Sequence, residues 1–281
     1  MPVILKNTVV CMAVGVAFAV ALGTAESTAA VILSYDSGVT AAGGNAGAAD
    51  PATQGWTYSG SGSGYADGYD SGNGGWRLVD GTTGNFTAFS TTPDSNATAA
   101  LTTAGGWQLS WTLALDRSAL LEGGGGVANY YAGQGVSRQN SQYMILQIPN
   151  EYNFYFSHRL DDNDQVFIRN ELDTSQTYAT GVSLGTSDTT PNFLTLTLTY
   201  DDATNTASFD HVGGTTVIQN GSTTSSNRLF WGSGSSAGQG SAIWNEVTLE
   251  TVAVPEPHAA LLAVLGAVGM IAGRFGRRCD R

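Results

Sequence analysis

The clearest pattern in this chain is the alternation of hydrophobic and polar residues. From Trp107 to Leu115 every second residue is apolar, and threonines separate the apolar positions between residues 194 and 200. A period of two turns one side of a β-strand toward a core and the other toward solvent. The pattern therefore predicts half-buried strands.

Short apolar or alternating runs occur eleven times between the two ends of the chain, with Gly, Ser, Asn and Asp clusters between them. They cover residues 31–35, 76–79, 107–115, 143–148, 152–156, 166–169, 193–200, 207–211, 216–219, 228–231 and 247–252. Evenly spaced strands with so little helix predict one antiparallel sandwich or barrel. The one short helix predicted between the ends lies near Arg117–Glu122, where the Gly123–Gly126 run ends it.

The first 30 residues are typical of a secretory signal peptide. Lys6 precedes an almost wholly apolar run from Val9 to Leu22, and small residues follow that run. This charged, apolar and small-residue order is the pattern of an exported protein. We expect cleavage after Ala30, with cleavage after Ala25 and a permanent membrane anchor as alternatives.

The last residues form a second three-part segment, which begins with Pro255, Glu256 and Pro257. An apolar run at 259–273 and an arginine-rich tail follow. The segment resembles the PEP-CTERM sorting signal of Gram-negative bacteria. That resemblance implies a short transmembrane helix and an exosortase that cuts near the Pro-Glu-Pro motif. An ordinary C-terminal membrane anchor is the alternative.

These ends divide the chain into a signal peptide at 1–30, a domain at 31–252 and a sorting signal at 253–281. The whole chain has a formal net charge of −12, and residues 31–254 hold six arginines, no lysine and 20 acids, which gives 6 − 20 = −14. An acidic domain of this kind is not a nucleic-acid binder by charge. Both cysteines fall in the ends, so the domain must rely on its core rather than on disulfides.

The domain resembles concanavalin A-like lectin/glucanase sandwiches, which include laminin-G-like domains. The resemblance rests on a threonine-rich strand, a polar turn at 201–206 and a short strand up to residue 211, and on the closing segment 230–249. It implies an all-β antiparallel jelly-roll sandwich between an N-terminal signal helix and a C-terminal apolar helix. It also makes carbohydrate the expected ligand.

Glucanases of this group carry Glu-x-Asp-x-Glu, or a version one residue longer, on one strand. This chain has Glu171 and Asp173, but Ser175 and Gln176 stand where the third carboxylate belongs. Hydrolysis of a glycosidic bond needs a pair of suitably placed carboxyl groups. Glu151 and Glu246 are isolated acids, so we do not expect an enzyme.

Aromatic faces flanked by hydrogen-bonding side chains are the expected signature of sugar binding. The candidate residues are Tyr130, Tyr131, Arg138, Tyr155 and Arg159. For Tyr130 and Tyr155 a place in the core remains the alternative. Core positions are predicted for Trp107, Trp111, Trp231 and Trp244.

Two oxygen-rich stretches are candidates for calcium, and no other cofactor is expected. They contain Asp67 and Asp70 in one case and Asp161 and Asp164 in the other. Carboxylate oxygens are the ligands that this ion prefers, but neither stretch has the EF-hand spacing. Plain turns are the alternative interpretation, because Asp and Asn favour turns.

Together these patterns predict an exported cell-surface or extracellular-matrix protein of a Gram-negative-type bacterium. Signal peptidase and exosortase would process it, and the C-terminal helix would hold it in the membrane until then. Its domain would act as a non-catalytic, lectin-like module that contacts polysaccharide. The alternatives are a structural surface or biofilm component without a ligand and a divergent glycoside hydrolase.

The sorting signal leads to a direct test. Because the Pro-Glu-Pro motif, the apolar run and the arginine cluster occur in order, the exported protein should lack its arginine tail. Mass spectrometry of the mature protein would detect that loss. An intact Arg281 on most mature molecules would contradict the interpretation.

Overall fold

The computed structural model describes residues 29–40, 49–61, 65–80, 86–115, 138–160, 165–183, 191–233 and 240–252. All of them lie within one unit, Ala29–Val252. The predicted signal peptide except for Ala29 and Ala30, the predicted helix near Arg117–Glu122 and the sorting signal lie outside the described residues. Within the described part of the chain, no helix is long and apolar enough to cross a membrane.

The described strands form two sheets, and every pairing between them is antiparallel. Sheet 1 has eight strands. In spatial order it holds β13 (Gly214–Gln219), β12 (Thr206–His211), β11 (Leu194–Asp201), β6 (Gly106–Leu115), β15 (Gly240–Thr251), β4 (Gly75–Asp80) and β3 (Tyr65–Asp70), and β1 (Val31–Asp36) also pairs with β15.

Sheet 2 has seven strands. In spatial order they are β10 (Thr177–Ser183), β9 (Gln165–Asn170), β8 (Tyr152–Leu160), β7 (Arg138–Ile148), β14 (Arg228–Ser233), β5 (Phe86–Thr91) and β2 (Thr57–Ser61). The predicted all-β antiparallel sandwich is therefore confirmed as two antiparallel sheets with a core between them.

The threonine-rich strand β11 shows how alternation builds this sandwich. Its leucines are buried, and Leu196 and Leu198 stand opposite Trp111 and Leu109 of β6. On the other side of the sheet, polar side chains of the two strands bond to each other. The three contacts are Thr112 to Thr195 at 2.9 Å, Ser110 to Thr197 at 3.3 Å and Gln108 to Thr199 at 3.2 Å.

Strand β15 contains a bulge, at which the residues that face the core shift by one position. The pairing with β6 shifts between Trp244 and Glu246, so the buried positions pass from Trp244 to Val247. The extra residue, Asn245, donates to Ser37 Oγ at 2.9 Å and to the Gly74 carbonyl at 2.7 Å. This bulge separates the part of β15 that pairs with β4 from the part that pairs with β1.

The four tryptophans predicted for the core are fully buried there: Trp107, Trp111, Trp231 and Trp244. Trp231 stacks between Tyr35 and Phe89, with ring centroids 4.8 Å and 5.0 Å away. Large aromatic side chains supply most of the apolar area in such a core, which confirms this part of the prediction.

Two indole N–H groups bridge the sheets inside the core. Trp111 on sheet 1 donates to His158 Nε2 on sheet 2 at 2.9 Å, and Trp244 donates to Gln142 Oε1 at 3.1 Å. His158 Nδ1 lies 3.0 Å from the Gln142 carbonyl, so the Nδ1–H tautomer satisfies both ring nitrogens. Burial lowers the pKa of His158 to about 4.

Four strands, the α-helix α1 (Ser95–Thr103) and two short 3-10 helices (Ser37–Thr40 and Pro51–Gln54) were not predicted from the sequence; the four strands are β2, β3, β5 and β10. The expectation that the only helix between the ends lies near Arg117–Glu122 is therefore wrong. Asp94 caps the N-terminus of α1, where its side chain accepts a hydrogen bond from the Ala97 N–H at 2.8 Å. Leu101 is the only buried residue of this helix. A helix with so small a buried face has little hydrophobic periodicity to reveal it.

The first and last strands bring the ends of the domain together. The Ala30 N–H donates to Thr251 Oγ1 at 3.0 Å, and the Thr251 N–H donates to the Ala30 carbonyl at 2.9 Å. The points where the described chain begins and ends are therefore adjacent on sheet 1.

His158 should make stability depend on pH. Its pKa is about 4 in the fold against 6.5 when unperturbed, so the stabilisation is complete above pH 6.5 and is lost as the pH falls toward 4. Urea unfolding should show a loss of roughly 2 kcal/mol between pH 7 and pH 5. The loss should be much smaller in His158→Gln, and equal losses in the two proteins would contradict this origin.

Candidate functional site

The side of sheet 2 that faces away from the core carries an unusual mixture of side chains. On β8, Phe154, Phe156 and His158 point into the core, so Tyr155, Ser157 and Arg159 point outward. We call the outward-facing positions of β5, β14, β7, β8 and β9, together with Glu171 directly after β9, the outer face of sheet 2. Strand pairing arranges these positions in rows across the sheet.

One row of the outer face is apolar. Phe230 on β14 stands opposite Ile145 on β7, and Ile145 stands opposite Tyr155 on β8. Tyr143 joins them, with its ring 5.3 Å from that of Tyr155 and nearly perpendicular to it. Tyr143, Ile145 and Phe230 are buried, whereas Tyr155 is half-buried. Tyr155 is therefore the most accessible ring of this group.

Burial and the neighbouring Tyr143 raise the pKa of Tyr155 to about 12, and the charge of Glu171 acts in the same direction. The hydroxyl is therefore protonated at neutral pH. It can donate one hydrogen bond and accept others.

Beside the apolar row, two arginines hold one carboxylate. Arg169 binds Glu171 with both ends of its guanidinium, at 2.9 Å from Nε to Oε1 and 2.7 Å from Nη2 to Oε2. Arg159 Nη2 donates to the same Oε1 at 3.0 Å, and Ser157 donates a short hydrogen bond to it. Arg159 Nε in turn donates to Ser157 Oγ at 2.9 Å.

This surrounding keeps Glu171 ionised. Burial by itself would raise the pKa of Glu171, but the hydrogen bonds from Arg169 and Ser157 and the charge of Arg159 outweigh it. The pKa therefore lies below its usual range. A carboxylate held in this way has no proton to donate at neutral pH.

A third arginine lies at the other end of the face. Arg228 Nε donates to Gln147 Oε1 at 2.9 Å, and the Arg228 guanidinium lies 5.3 Å from the centre of the Phe230 ring. Gln147 also donates to Asn153 Oδ1 at 3.0 Å. This end of the face therefore offers a cation and two amides beside an aromatic ring.

The other acids considered for catalysis do not join Glu171. Asp173 lies in the turn after β9, where its carboxylate accepts from the Ser175 N–H at 3.2 Å and from Ser175 Oγ at 2.6 Å. Glu151 is exposed in the turn between β7 and β8, and Glu246 is exposed on sheet 1 beside Thr248. The alternation expected from Glu171 to Asp173 ends with strand β9 at Asn170.

Two of the five predicted sugar-binding residues, Tyr155 and Arg159, lie on the outer face of sheet 2. Arg138 begins β7 opposite Leu160, and the description there covers only its backbone. Tyr130 and Tyr131 lie outside the described residues.

Sequence reasoning missed four contributors to this face: Tyr143, Arg169, Arg228 and Phe230. Alternation within 228–231 could have indicated the outward positions on β14. Only the pairing of β14 with β7 places them beside Tyr155.

The calcium candidates have a structural explanation where they are described. Asp70 closes the turn between β3 and β4, where Oδ1 accepts from the Gly72 and Asn73 N–H groups at 3.1 Å and Oδ2 accepts from Asn73 Nδ2 at 3.0 Å. The description of Asp67 covers only its backbone, and Asp161 and Asp164 lie outside the described residues. Within those residues no group of three His, Cys, Asp or Glu side chains could hold a metal ion.

No protein-family model and no curated protein matches this sequence. Solved structures that match this chain include a conserved carbohydrate esterase of the Shiga toxin-encoding bacteriophage phi24B, at 14% identity and a TM-score of 0.49, with 80% of this chain and 99% of that one covered. Trypanosoma rangeli sialidase matches at 13% identity and 0.40, over 70% of this chain and 28% of that one.

The binding domain of botulinum neurotoxin DC, solved with rat synaptotagmin II, matches at 10% identity and a TM-score of 0.40, over 74% of this chain and 46% of that one. This chain thus spans less than half the length of the sialidase and neurotoxin chains. With TM-scores below 0.5 and identities of 10–14%, these matches carry no conclusion about the present chain.

Removing the charge of Glu171 should destabilise the protein. Glu171→Gln leaves the buried Arg159 without its counter-charge, so we expect a loss of roughly 3 kcal/mol in the free energy of unfolding at pH 7. Urea denaturation would measure it. Glu246→Gln, at an exposed acid on sheet 1, is the matched control and should change stability by less than about 0.5 kcal/mol. Equal effects of the two substitutions would contradict the role given to Glu171.

Proposed function

We propose that this chain is an exported cell-surface or matrix protein whose sandwich, of the concanavalin A-like type, binds carbohydrate without cleaving it. The observation that carries the proposal is the outer face of sheet 2. There, the half-buried ring of Tyr155 adjoins Arg169 and Glu171 on one side and Arg228 on the other.

A sugar ring presents an apolar C–H face and an edge of hydroxyl groups. An aromatic side chain covers such a face, while charged and amide groups beside it bind the hydroxyls. Tyr155 offers both a ring and a protonated hydroxyl, and the guanidinium groups of Arg169 and Arg228 add donors in fixed directions. This combination supports a binding face for saccharides.

The same geometry supports binding without hydrolysis. A glycosidase needs a general acid, whose pKa must be raised toward the working pH, and a second carboxyl group across the bond. Glu171 has a lowered pKa and is engaged by two arginines. Asp173 is engaged in its own turn.

The export part of the proposal is supported by the two ends of the sequence. The apolar N-terminal run with its small-residue border and the tail that begins at Pro255 each match a processing segment. On this proposal signal peptidase removes the first segment, and exosortase acts on the second after its apolar run has held the chain in the membrane. Release then leaves the sandwich at the cell surface or in the matrix.

The binding proposal predicts that the purified full chain binds to glycans immobilised on an array and does not cleave them. Tyr155→Ala removes the accessible ring and should weaken binding roughly tenfold, because stacked aromatic contacts dominate such surfaces. Tyr69→Ala, at a half-buried tyrosine on sheet 1, should bind as the unchanged protein does. The bound β-1,3 and β-1,4 glucans should release no reducing ends during incubation.

Two results would contradict the proposal. If the folded protein binds no glycan on the array, a structural role without a ligand is favoured. Release of reducing ends that Glu171→Gln abolishes would show a glycosidase.

A further inference from the structure

The edge strands of the two sheets differ in how well they are protected. An edge strand has N–H and C=O groups that no neighbouring strand uses, and proteins normally protect it with charges, short length, irregular pairing or covering side chains. Among the described strands, sheet 1 has edges at β13, β3 and β1, and sheet 2 has edges at β10 and β2. Four of these five edges are protected, and β13 is not.

On sheet 1, side chains cover the edge of β1, and charge protects β3. The Gln54 side chain accepts from the Asp36 N–H at 2.9 Å and donates to the Asp36 carbonyl at 3.0 Å, as a neighbouring strand would. Trp56 Nε1 donates to the Ser34 carbonyl at 3.0 Å. The sequence of β3 contains two aspartates and a glycine, which disfavour pairing with a further strand.

On sheet 2, both edges are interrupted. The Val212 N–H, in the turn between β12 and β13, donates to the Ala179 carbonyl of β10 at 3.2 Å. The pairing of β10 with β9 is also irregular between Ala179 and Ser183. Strand β2 has five residues, contains Gly60, and is half-buried over residues 58–60. Neither strand therefore offers a regular, open edge.

Strand β13 has none of these protections. It pairs with β12 without a register shift over all six residues, and it contains no charge and no proline. Ile218 is buried in the core, so Thr215, Val217 and Gln219 lie on the outside of sheet 1, where all three are exposed. Val217 is 57% exposed. A regular, uncharged edge rich in β-branched residues is a template for a further strand.

The outward residues of β13 are arranged so that the strand can pair with a copy of itself. In an antiparallel pair about a two-fold axis at Val217, each Val217 stands opposite the other, and each Thr215 stands opposite Gln219. The pair covers an exposed apolar side chain and brings no charges together. The one acid of the hairpin, Asp210, lies on β12, so its two copies are separated by three strand spacings or more, about 14 Å, beyond the Debye length in physiological salt.

We infer that β13 pairs antiparallel with β13 of a second copy of this chain, which joins sheet 1 of both copies into one continuous sheet. A second copy is favoured over a foreign strand because the domain's arginines and acids sum to −14, and β13 is a neutral, self-complementary place where two such domains can meet. The two-fold axis closes the assembly at a dimer. A six-residue strand is small beside the roughly 20–30 residues that a stable interface has on each side, so the dimer is reversible.

The pairing also fixes how the two copies face. Strands in one continuous sheet keep their core-facing sides together, so sheet 2 of each copy lies on the same side of the joined sheet. Both outer faces of sheet 2 then point in the same general direction. The inference does not depend on the proposed sugar binding, but such a dimer would present two binding faces to one polysaccharide surface and raise the avidity without new contacts.

Sedimentation velocity of the purified full chain over a range of protein concentrations tests the inference. We expect a reversible equilibrium between monomer and dimer. Val217→Lys places two like charges opposite each other and should weaken the dimer roughly tenfold or more. Val31→Lys makes the same change at a valine that is 61% exposed on the β1 edge, and it should leave the dimer unaltered. Both valines are exposed, so the variants should fold, which circular dichroism would verify.

A disulfide cross-link tests the register. In the inferred pairing the two Val217 Cα atoms are about 5 Å apart, a distance that a disulfide can bridge. Val217→Cys, in a chain whose Cys11 and Cys279 are replaced by serine, should form a disulfide-linked dimer under mild oxidation. Thr216→Cys, at a position on the core side of β13, should form none. Electrophoresis without reductant would separate the two results.

Several outcomes would overturn the inference. A monomer at every concentration up to about 1 mM would exclude the dimer. A dimer that persists in Val217→Lys, or open-ended chains in place of a dimer, would exclude pairing of β13 about a two-fold axis. Equal weakening in Val31→Lys would show an unspecific effect of the added charge. No cross-link in Val217→Cys, or an equal one in Thr216→Cys, would exclude the register. Each of these outcomes leaves the proposed sugar binding in place, because the glycan array tests that separately.

Discussion

The hydrogen bonds that cross the core between the two sheets are the constraint on which the rest of the structure depends. Trp111 and Trp244 project from sheet 1 and donate to His158 and Gln142 of sheet 2 at 2.9 Å and 3.1 Å. A shift of β7 and β8 by one residue would turn Gln142 and His158 to the other side of sheet 2 and break both bonds, so these bonds favour the observed register. In this way the core fixes which residues face outward.

Strand β8 transmits this constraint to the candidate site. His158 points inward and is fully buried, and its chain neighbours Ser157 and Arg159 therefore point outward. The pairing with β9 then sets Arg169 opposite Ser157, and the Glu171 N–H donates to the Tyr155 carbonyl at 2.8 Å. The carboxylate of Glu171 thereby lies within reach of both arginines. The charged group on one side of sheet 2 is thus positioned by an uncharged histidine on the other.

The sequence could predict only those features of the candidate site that depend on the residue pattern within a single strand. Tyr155 and Arg159 alternate with core residues on β8, so their outward placement follows from the run Phe154 to Arg159 alone. The sequence suggested Glu171 as a possible catalytic acid, whereas the structure shows its carboxylate hydrogen-bonded to two arginines. That difference depends on Arg159 and Arg169 lying on neighbouring strands, which no local pattern reports.

Some elements lacked a local signal altogether. Strands β2 and β3 are rich in Gly, Ser and Tyr, and α1 has only Leu101 as a buried residue, so their sequences show neither period strongly. Their positions come from partners distant in the chain, such as the bond from Tyr152 Oη to the Leu101 carbonyl at 3.1 Å. Tertiary contacts override weak local preferences in such segments.

The sequence by itself determined that this protein is a β-protein with alternating strands, that four tryptophans lie in its core, and that its domain is acidic and without cysteine. These properties follow from composition and from a period of two, which each segment carries within itself. The tertiary structure alone decided that Tyr155, Arg159, Arg169 and Arg228 lie on one face and that Nη1 of Arg159 is buried without a partner among the described residues. The reason is physical: pairing between strands brings together residues far apart in the chain, such as Ile145 and Phe230, which are 85 positions apart, or Gln147 and Arg228, which are 81 positions apart, and spacing along the chain does not encode that register.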